Sequence, residues 1–188
     1  MTENNIKKIA HFISPVKKGG GEILIADLVS KQSLDIKNEL TLILGANNEY
    51  MENKLKKHDV KILKLHCLNS DFSYSIFQTL FRSSIQYIWL SFLFIFYDFN
   101  VFHSHSFPGQ YLVLPKILNI FKYIPTIFIH TKHIDSKRNT LKSLLWKIAL
   151  KLNNHLTFVS KSARNNAFVN LNSKKISIIS NPVEEIFF

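Results

Sequence analysis

The sequence contains a single cysteine, Cys67, in 188 residues. One thiol cannot form an intrachain disulfide, and it cannot supply the sulfur ligands of a cysteine zinc site. Glycine and proline are also few, with five of each, so the chain is neither collagen-like nor of low complexity. A chain with one cysteine fits the reducing cytosol, and we expect a cytoplasmic location.

Acidic residues are scarce as well, with 13 Asp and Glu against 24 Lys and Arg, which gives a formal net charge of +11. This excess favours anionic partners, namely phospholipid head groups, sugar phosphates or nucleic acid. No helix-turn-helix, zinc-finger or RNP pattern occurs, so nucleic acid is the least favoured of the three. Residues 1–8 are polar and lack the apolar core of a secretion signal.

The composition is that of a folded domain, because 46% of the residues are hydrophobic and 188 residues are enough to form one hydrophobic core. Strand-like apolar runs alternate with segments of helical periodicity throughout. This alternation is typical of a parallel sheet flanked by helices, and we predict one domain, residues 1–188, with an α/β, Rossmann-like, doubly wound fold. The predicted strands are 8–14, 39–44, 60–65, 101–103, 126–130, 155–159 and 175–179, and the predicted helices are 22–31, 48–57, 72–97, 109–121, 140–153 and 161–169.

The stretch DFNVFHSHSFPGQY, residues 98–111, combines a short apolar strand with an abrupt change to polar residues. His103 and His105 are two residues apart, so in a strand both side chains face the same way. Ligands of open parallel sheets bind just beyond the carboxyl ends of the strands. We therefore expect His105 at the rim of a ligand cleft, with a hydrogen-bonded structural histidine as the alternative. His11, inside the first predicted strand, is expected to be a packed core residue.

Three consecutive glycines, Gly19, Gly20 and Gly21, follow the first predicted strand and precede a helix. Glycine lets the backbone approach a phosphate, and a helix N-terminus offers free N–H groups and a partial positive charge. The run is neither a G-x-G-x-x-G nor a P-loop pattern. It is a candidate phosphate-binding turn, and the alternative, which a glycine run alone favours, is a flexible turn without a ligand.

Metal binding is not favoured by the sequence, although histidines His103, His105, His130 and His133 lie close together along the chain. No carboxylate stands at a matching spacing, and imidazoles alone at this spacing are a weak metal signal. We expect neither a metal nor another cofactor.

Residues 83–97, SSIQYIWLSFLFIFY, form a run of 15 residues without a charge. The run is shorter than the ~20 residues that span a bilayer, so it predicts a buried core helix or a segment at a membrane interface. Its aromatic residues Tyr87, Trp89 and Tyr97, together with the basic stretch 132–151, favour contact with an anionic membrane surface.

Several segments resemble the N-terminal domain of family 4 glycosyltransferases, retaining enzymes of the GT-B fold. "DFNVFHSHS" is similar to the family's D-x-V-H-x-H segment, "GGGEILIADLV" to GG-x-E-x-x-x-x-x-L, "TIFIH" to V-x-T-x-H and "ISIISNPVEEIFF" to I-x-V-I-x-N-G-V-D-x-x-x-F. Phe102 and Pro182 depart from the pattern, where the family has a smaller aliphatic residue and a glycine.

The resemblance implies that His105 lies in the interdomain cleft near the reacting sugar, and that Gly19, Gly20, Gly21 and His130 line the substrate side. By analogy the strand order is 3-2-1-4-5-6-7. The implied reaction is sugar transfer from a nucleotide sugar to a lipid-linked or glycan acceptor in surface polysaccharide assembly, without a metal. The resemblance covers one half of a family enzyme, so we expect no turnover by this chain without a donor-binding domain.

Besides the glycosyltransferase half, two other interpretations stay open at this stage. In one, the chain is a non-catalytic or truncated half that binds acceptor or membrane and needs a separate donor-domain chain. A third interpretation is a small nucleotide- or nucleic-acid-binding module, whose binding would fall steeply with salt.

Overall fold

The computed structural model describes residues 7–14, 20–35, 38–65, 76–105, 126–132, 153–165 and 175–178. Its strands are β1 (Lys7–Ile13), β2 (Asn38–Leu44), β3 (Val60–Lys64), β4 (Val101–His105), β5 (Ile127–Lys132), β6 (His155–Phe158) and β7 (Lys175–Ile178). The helices in these ranges are α1 (Gly20–Gln32), α2 (Glu49–Leu55), α3 (Ile76–Phe96) and α4 (Lys161–Asn165).

All seven strands belong to one sheet with the order β3-β2-β1-β4-β5-β6-β7, and every neighbouring pair is parallel. The predicted fold class and strand order are both confirmed. The order reverses between β1 and β4, because β2 and β3 lie on one side of β1 and the later strands on the other. In doubly wound sheets this switch point, at the carboxyl ends of the strands, is where ligands bind.

The predicted elements recur with shifts of a few residues at their ends, and α2 shows why such shifts occur. Asn48, predicted as its first residue, is the N-cap: its backbone is extended and its side chain accepts a hydrogen bond from the Met51 N–H at 3.0 Å. The helices predicted at 109–121 and 140–153 fall on residues outside the described ranges, apart from the last residue, Asn153.

One face of the sheet packs against α1 and α2. Apart from His11, the buried side chains that alternate toward this face from β1 and β2 are apolar, and they meet the inward stripe of α1. Burying these side chains removes their apolar surface from water, which stabilises the fold. The buried members are Ile13, Ile25, Ala26, Val29, Leu40, Leu42, Leu44, Met51 and Leu55.

The opposite face packs against α3 through a cluster of aromatic rings. Phe94 of α3 lies over the centre of the sheet, with its ring centroid 4.8 Å from that of Phe102 and 5.5 Å from that of Phe128. Phe12 stacks on Phe102 at 6.2 Å, and all four rings are buried. Edge-to-face and offset pairs at these separations are favourable beyond their buried area. The aromatic residue at position 102 therefore fills the space beneath α3.

Candidate functional site

Three histidines lie together near the switch point. His11 of β1 is paired in register with His103 of β4, and His105 is the last residue of β4. Because side chains alternate along a strand, these three imidazoles share the face of the sheet that α1 covers. Their ring centroids lie 4.0 to 5.3 Å apart. We call His11, His103 and His105 the histidine cluster.

Two hydrogen bonds connect the cluster to helix α1. Nδ1 of His11 lies 3.0 Å from Nε2 of His105, and Nε2 of His11 lies 2.7 Å from Oε1 of Gln32. Gln32 is the last residue of α1, so the helix end is joined through β1 to the carboxyl end of β4. Both ring nitrogens of His11 thus have partners, as a buried imidazole requires.

Burial sets the charge of His11. The ring is 1% exposed, and removal from water lowers its pKa from 6.5 to about 4, while the hydrogen bond to Gln32 opposes this shift by favouring the protonated ring. His11 is therefore neutral at pH 7, and it offers one lone pair and one N–H.

The cluster continues across the sheet as a row of polar side chains. Nε2 of His103 lies 2.5 Å from Oγ1 of Thr131. The register places His105 beside Thr131, Thr131 beside Thr157, and Thr157 beside Ser177, on four consecutive strands. On this face β2 carries leucines, β1 carries His11 between two isoleucines, and the carboxyl ends of β4 to β7 carry polar side chains. This gradient makes the β4 to β7 side of the edge the one suited to a polar ligand.

Among the described residues, the histidine cluster is the group whose spacing resembles a metal site, since one nitrogen from each ring lies within 4.8 Å of the others. The rings of His11 and His105 are nearly parallel, at 18°, with centroids 5.3 Å apart. That separation is close to the 3.0 Å between their nitrogens plus the two ring radii, so the two nitrogens point at each other. Metal ligands instead direct both lone pairs at a third point. The geometry is that of a hydrogen bond.

His105 occupies the predicted place at the carboxyl end of β4, but its ring is 2% exposed. Its ring stacks on that of His11, and its place at the rim of a ligand cleft stays a prediction. The expectation that His11 is a core residue is confirmed. His130 lies in β5 with its backbone paired to Ser104, one residue from His105, and its side chain falls outside the description.

Two of the three predicted phosphate-loop glycines are the first residues of α1, and Gly19 lies outside the described residues. A Cβ added to Gly20 or Gly21 would meet no atom within 4 Å. No neighbour in the described part of the chain therefore requires glycine at either position. A helix start of this kind suits an anion, because its first N–H groups have no partner within the helix.

Sequence reasoning missed Gln32, Thr131 and the role of His11. The signal that could have found His11 is a polar residue centred in the apolar strand KKIAHFI, since a buried imidazole needs a partner. Finding Gln32 and Thr131 requires the strand pairing first, because each partner belongs to a different element.

Helix α3 presents a second surface. Its inward side carries buried residues such as Gln86, Leu90 and Phe94. In the described ranges, α3 and the other helices lack the combination of length and hydropathy that a transmembrane span needs. Large apolar residues on the other side are 54 to 76% exposed. They recur at helical spacing and form one stripe, which we call the α3 stripe: Phe81, Ile88, Phe92, Ile95 and Phe96. The predicted contact residues Tyr87, Trp89 and Tyr97 pack against the core.

The parallel sheet and its strand order define an α/β, Rossmann-like domain, and solved structures share this fold. A protein assigned as UDP-N-acetylglucosamine 2-epimerase from Listeria monocytogenes has a TM-score of 0.57 at 11% identity. Phytolacca americana UGT2, complexed with UDP-2-fluoro-glucose and pterostilbene, has 0.59 at 8%. UDP-N-acetylglucosamine 2-epimerase from Rickettsia bellii has 0.55 at 10%. No family model and no curated protein matches the sequence.

The matched part is large for this chain and small for the others. The three alignments cover 85%, 96% and 94% of this chain, and 41%, 55% and 45% of the respective structures. The chain thus spans about half the length of these proteins. At 8 to 11% identity the likeness shows the fold alone, the α/β, Rossmann-like domain described above.

Proposed function

We propose that the chain is the acceptor-side half of a family 4-type GT-B glycosyltransferase. It takes part in sugar transfer from a nucleotide sugar to a lipid-linked or glycan acceptor, in surface polysaccharide assembly. The donor-binding half is supplied by a second domain or a separate chain. The reaction uses no metal in the cleft.

The observation that carries this proposal is the convergence of two features at one edge of the sheet. The helix start at Gly20 and Gly21 follows β1, and His105 ends the adjacent β4, so both lie at the switch point of a GT-B-type sheet. N–H groups at a helix start suit a diphosphate, and an imidazole suits a sugar or acceptor hydroxyl. The solved structures whose names include UDP sugars support a nucleotide sugar as donor.

The test is sugar transfer by the chain combined with its donor-binding half. Radiolabelled UDP-glucose and UDP-N-acetylglucosamine are supplied with a lipid extract, and incorporation into lipid or glycan is measured. We expect turnover by the combination and none by the 188-residue chain alone, because a leaving diphosphate needs positioned charges from both halves. Turnover by the isolated chain, or none by any combination, would contradict the proposal.

Substitutions at the edge sharpen this test. Gly21→Ala should leave stability unchanged or raise it by about 0.5–1 kcal/mol, since alanine is the better helix former and meets no neighbour. It should raise the KM for the nucleotide sugar if the diphosphate lies against this backbone. His105→Ala should lower turnover per folded molecule by roughly 10²–10³. The matched control is His58→Ala. His58 bonds to Ser33 and lies just before β3, so it is at the amino end of the strands, away from the edge that carries His105.

A second, compatible proposal is peripheral binding to an anionic membrane on the cytoplasmic side, where a lipid-linked acceptor would be met. The α3 stripe favours this proposal. Binding to a membrane interface is driven by burial of apolar area and by attraction to anionic lipid, and the chain offers both an exposed apolar helix face and a net charge of +11. Each basic residue near such a surface contributes about 1 kcal/mol, screened by salt.

Vesicle co-sedimentation tests the membrane proposal. Binding should require anionic lipid and fade at high salt, and the double variant Phe92→Ser with Phe96→Ser should bind severalfold more weakly. Leu34→Ser is the matched control, because Leu34 is 76% exposed but lies outside the stripe, after α1. Equal binding to neutral vesicles, or an unchanged double variant, would refute it. Binding to nucleic acid with a steep salt dependence would favour the third interpretation.

A further inference from the structure

Three polar side chains lie in series between helix α1 and the end of β4. Oε1 of Gln32 is 2.7 Å from Nε2 of His11, and Nδ1 of His11 is 3.0 Å from Nε2 of His105. Each step joins two different elements of the fold. The half-buried amide of Gln32 therefore influences, through His11, which ring nitrogen of His105 carries the hydrogen.

The direction of each hydrogen bond follows from the chemistry of the groups. An amide oxygen can only accept a hydrogen bond, so the hydrogen between Gln32 and His11 is carried by Nε2 of His11. A neutral imidazole has one N–H, and His11 is neutral at pH 7 because burial lowers its pKa to about 4. Nδ1 of His11 is then the acceptor. The hydrogen between the two rings must be carried by Nε2 of His105.

The ring geometry agrees with this assignment. The 18° angle between the two rings and the 5.3 Å between their centroids place the lone pair of one nitrogen opposite the N–H of the other. In a hydrogen bond between two neutral rings, one ring is the donor and the other is the acceptor. Reversing it would require His11 to carry its proton on Nδ1, which would leave two lone pairs facing each other at Gln32.

We propose that Gln32 and His11 are positioning residues that fix His105 as the Nε2–H tautomer, so that its Nδ1 is the hydrogen-bond acceptor of the ring. This inference rests on the proposed function only where it assigns a partner, a hydroxyl group of the sugar acceptor. In that role Nδ1 of His105 accepts the hydroxyl hydrogen, and the series prevents the ring from presenting an N–H instead. The Gln32 oxygen fixes the tautomer of His11, and His11 in turn fixes that of His105, because the hydrogen bond at one ring nitrogen decides which nitrogen carries the proton.

The two rings are expected to change tautomer together. If the acceptor at position 32 is removed, Nε2 of His11 has no oxygen to bond, and the reversed arrangement becomes available to both rings. Gln32→Met removes the acceptor at nearly constant volume. Gln32→Glu keeps an acceptor oxygen at the same place and should preserve the native tautomers.

The experiment is long-range nitrogen–proton NMR on the chain labelled with ¹⁵N-histidine, which distinguishes the two tautomers of each ring. In the native chain at pH 7.5, His11 and His105 should both show the Nε2–H pattern. In Gln32→Met the resonances of both rings should shift toward the Nδ1–H pattern, and in Gln32→Glu both should stay as in the native chain. Ser177→Ala is the control, because it should move only His155, whose Nε2 lies 2.9 Å from Ser177.

Three outcomes would overturn the proposal. The first is an Nδ1–H pattern for His11 in the native chain, and the second is Gln32→Met with both tautomers unchanged. The third is stoichiometric binding of added Zn²⁺ that shifts His11, His103 and His105 together, because the cluster would then be a metal site. The native measurement needs no variant, so it decides even if a variant fails to fold. If the tautomers are as expected and no sugar transfer occurs, only the proposed function fails.

Discussion

The side-chain amide of Gln86 lies 2.5 Å from the carbonyl oxygen of Gly45, which joins the buried side of α3 to the end of β2. The same amide bonds to the hydroxyl of Ser14, just after β1. The N–H of Gly45 in turn bonds to the Ile13 carbonyl at 2.9 Å. Gln86 is fully buried, so its hydrogen bonds hold the carboxyl ends of β1 and β2 at a fixed distance beneath the helix.

Gly45→Ala should destabilise the domain by about 1–3 kcal/mol, because the new methyl group would lie 2.8 Å from Nε2 of Gln86. The amide must then move away and leave buried polar groups without partners. Urea unfolding of Gly45→Ala measures this change, and Gly20→Ala is the control, since a Cβ there meets no atom within 4 Å. Equal stability of the Gly45 variant and the native chain would contradict the described packing.

Stability should fall in mild acid because of His11. In the folded chain its pKa is about 4, below the 6.5 of an exposed histidine. Above pH 6.5 the ring is neutral in both states and adds no pH dependence. Between pH 6.5 and 4 the unfolded chain takes up a proton that the folded chain does not, so the free energy of unfolding falls by about 3 kcal/mol.

The measurement is urea unfolding from pH 8 to pH 4.5 of the native chain and of His11→Gln. The groups that face His11 are Gln32 of α1 and His103 and His105 of β4, and they remain in the variant. The pH dependence of the native chain should therefore exceed that of the variant over this window. Parallel curves would show that His11 is not the responsible group.

Phe102→Ala should destabilise the domain by about 3–5 kcal/mol, because the ring is buried beneath α3 among Phe12, Phe94 and Phe128. Its loss leaves a cavity that three large rings cannot fill without leaving their own contacts. Thermal or urea unfolding measures the loss. Ile127→Ala, at a half-exposed position of neighbouring β5, should cost much less.

Asn48→Ala should cost about 1 kcal/mol, because it removes the acceptor of the Met51 N–H at the start of α2. Asn48→Asp should keep most of the stability, since a carboxylate accepts the same bond and suits the positive end of the helix. Urea unfolding of the two variants distinguishes the loss of the capping hydrogen bond from other effects of replacing the asparagine side chain. Equal destabilisation by both would argue against capping.

The element order was predictable because it depends on local patterns. The run TLIL predicted a buried part of β2, and the charge-free run before Asp98 predicted α3. The analogy with GT-B domains then placed β1 between β2 and β4, and the structure confirms it. The element order is set by hydrophobic periodicity, which a single sequence displays, whereas the strand order came from the family resemblance.

The site was only partly predictable, because its contacts join residues that are distant in sequence. His105 was placed at the end of β4, but its burial depends on β1, whose His11 lies 94 residues away. The sides of α3 were left open for a related reason: aromatic residues mark both the inward side and the α3 stripe. Composition alone does not tell which side faces the sheet, since the packing partners decide it.

The central position of β1 has a consequence for how the chain folds during synthesis. Its outer neighbour β2 follows shortly, but the hydrogen bond between Lys8 and Asn100, at the start of the β4 pairing, spans 92 residues. Ribosomes add about 5–20 residues per second, so for several seconds the nascent chain can form only the three-stranded part β3-β2-β1. During that interval β1 is an open edge, with its backbone groups and His11 exposed to other nascent chains. A nascent chain arrested before β4 should therefore aggregate or recruit a chaperone, and release of the next 40 or so residues should end that vulnerability.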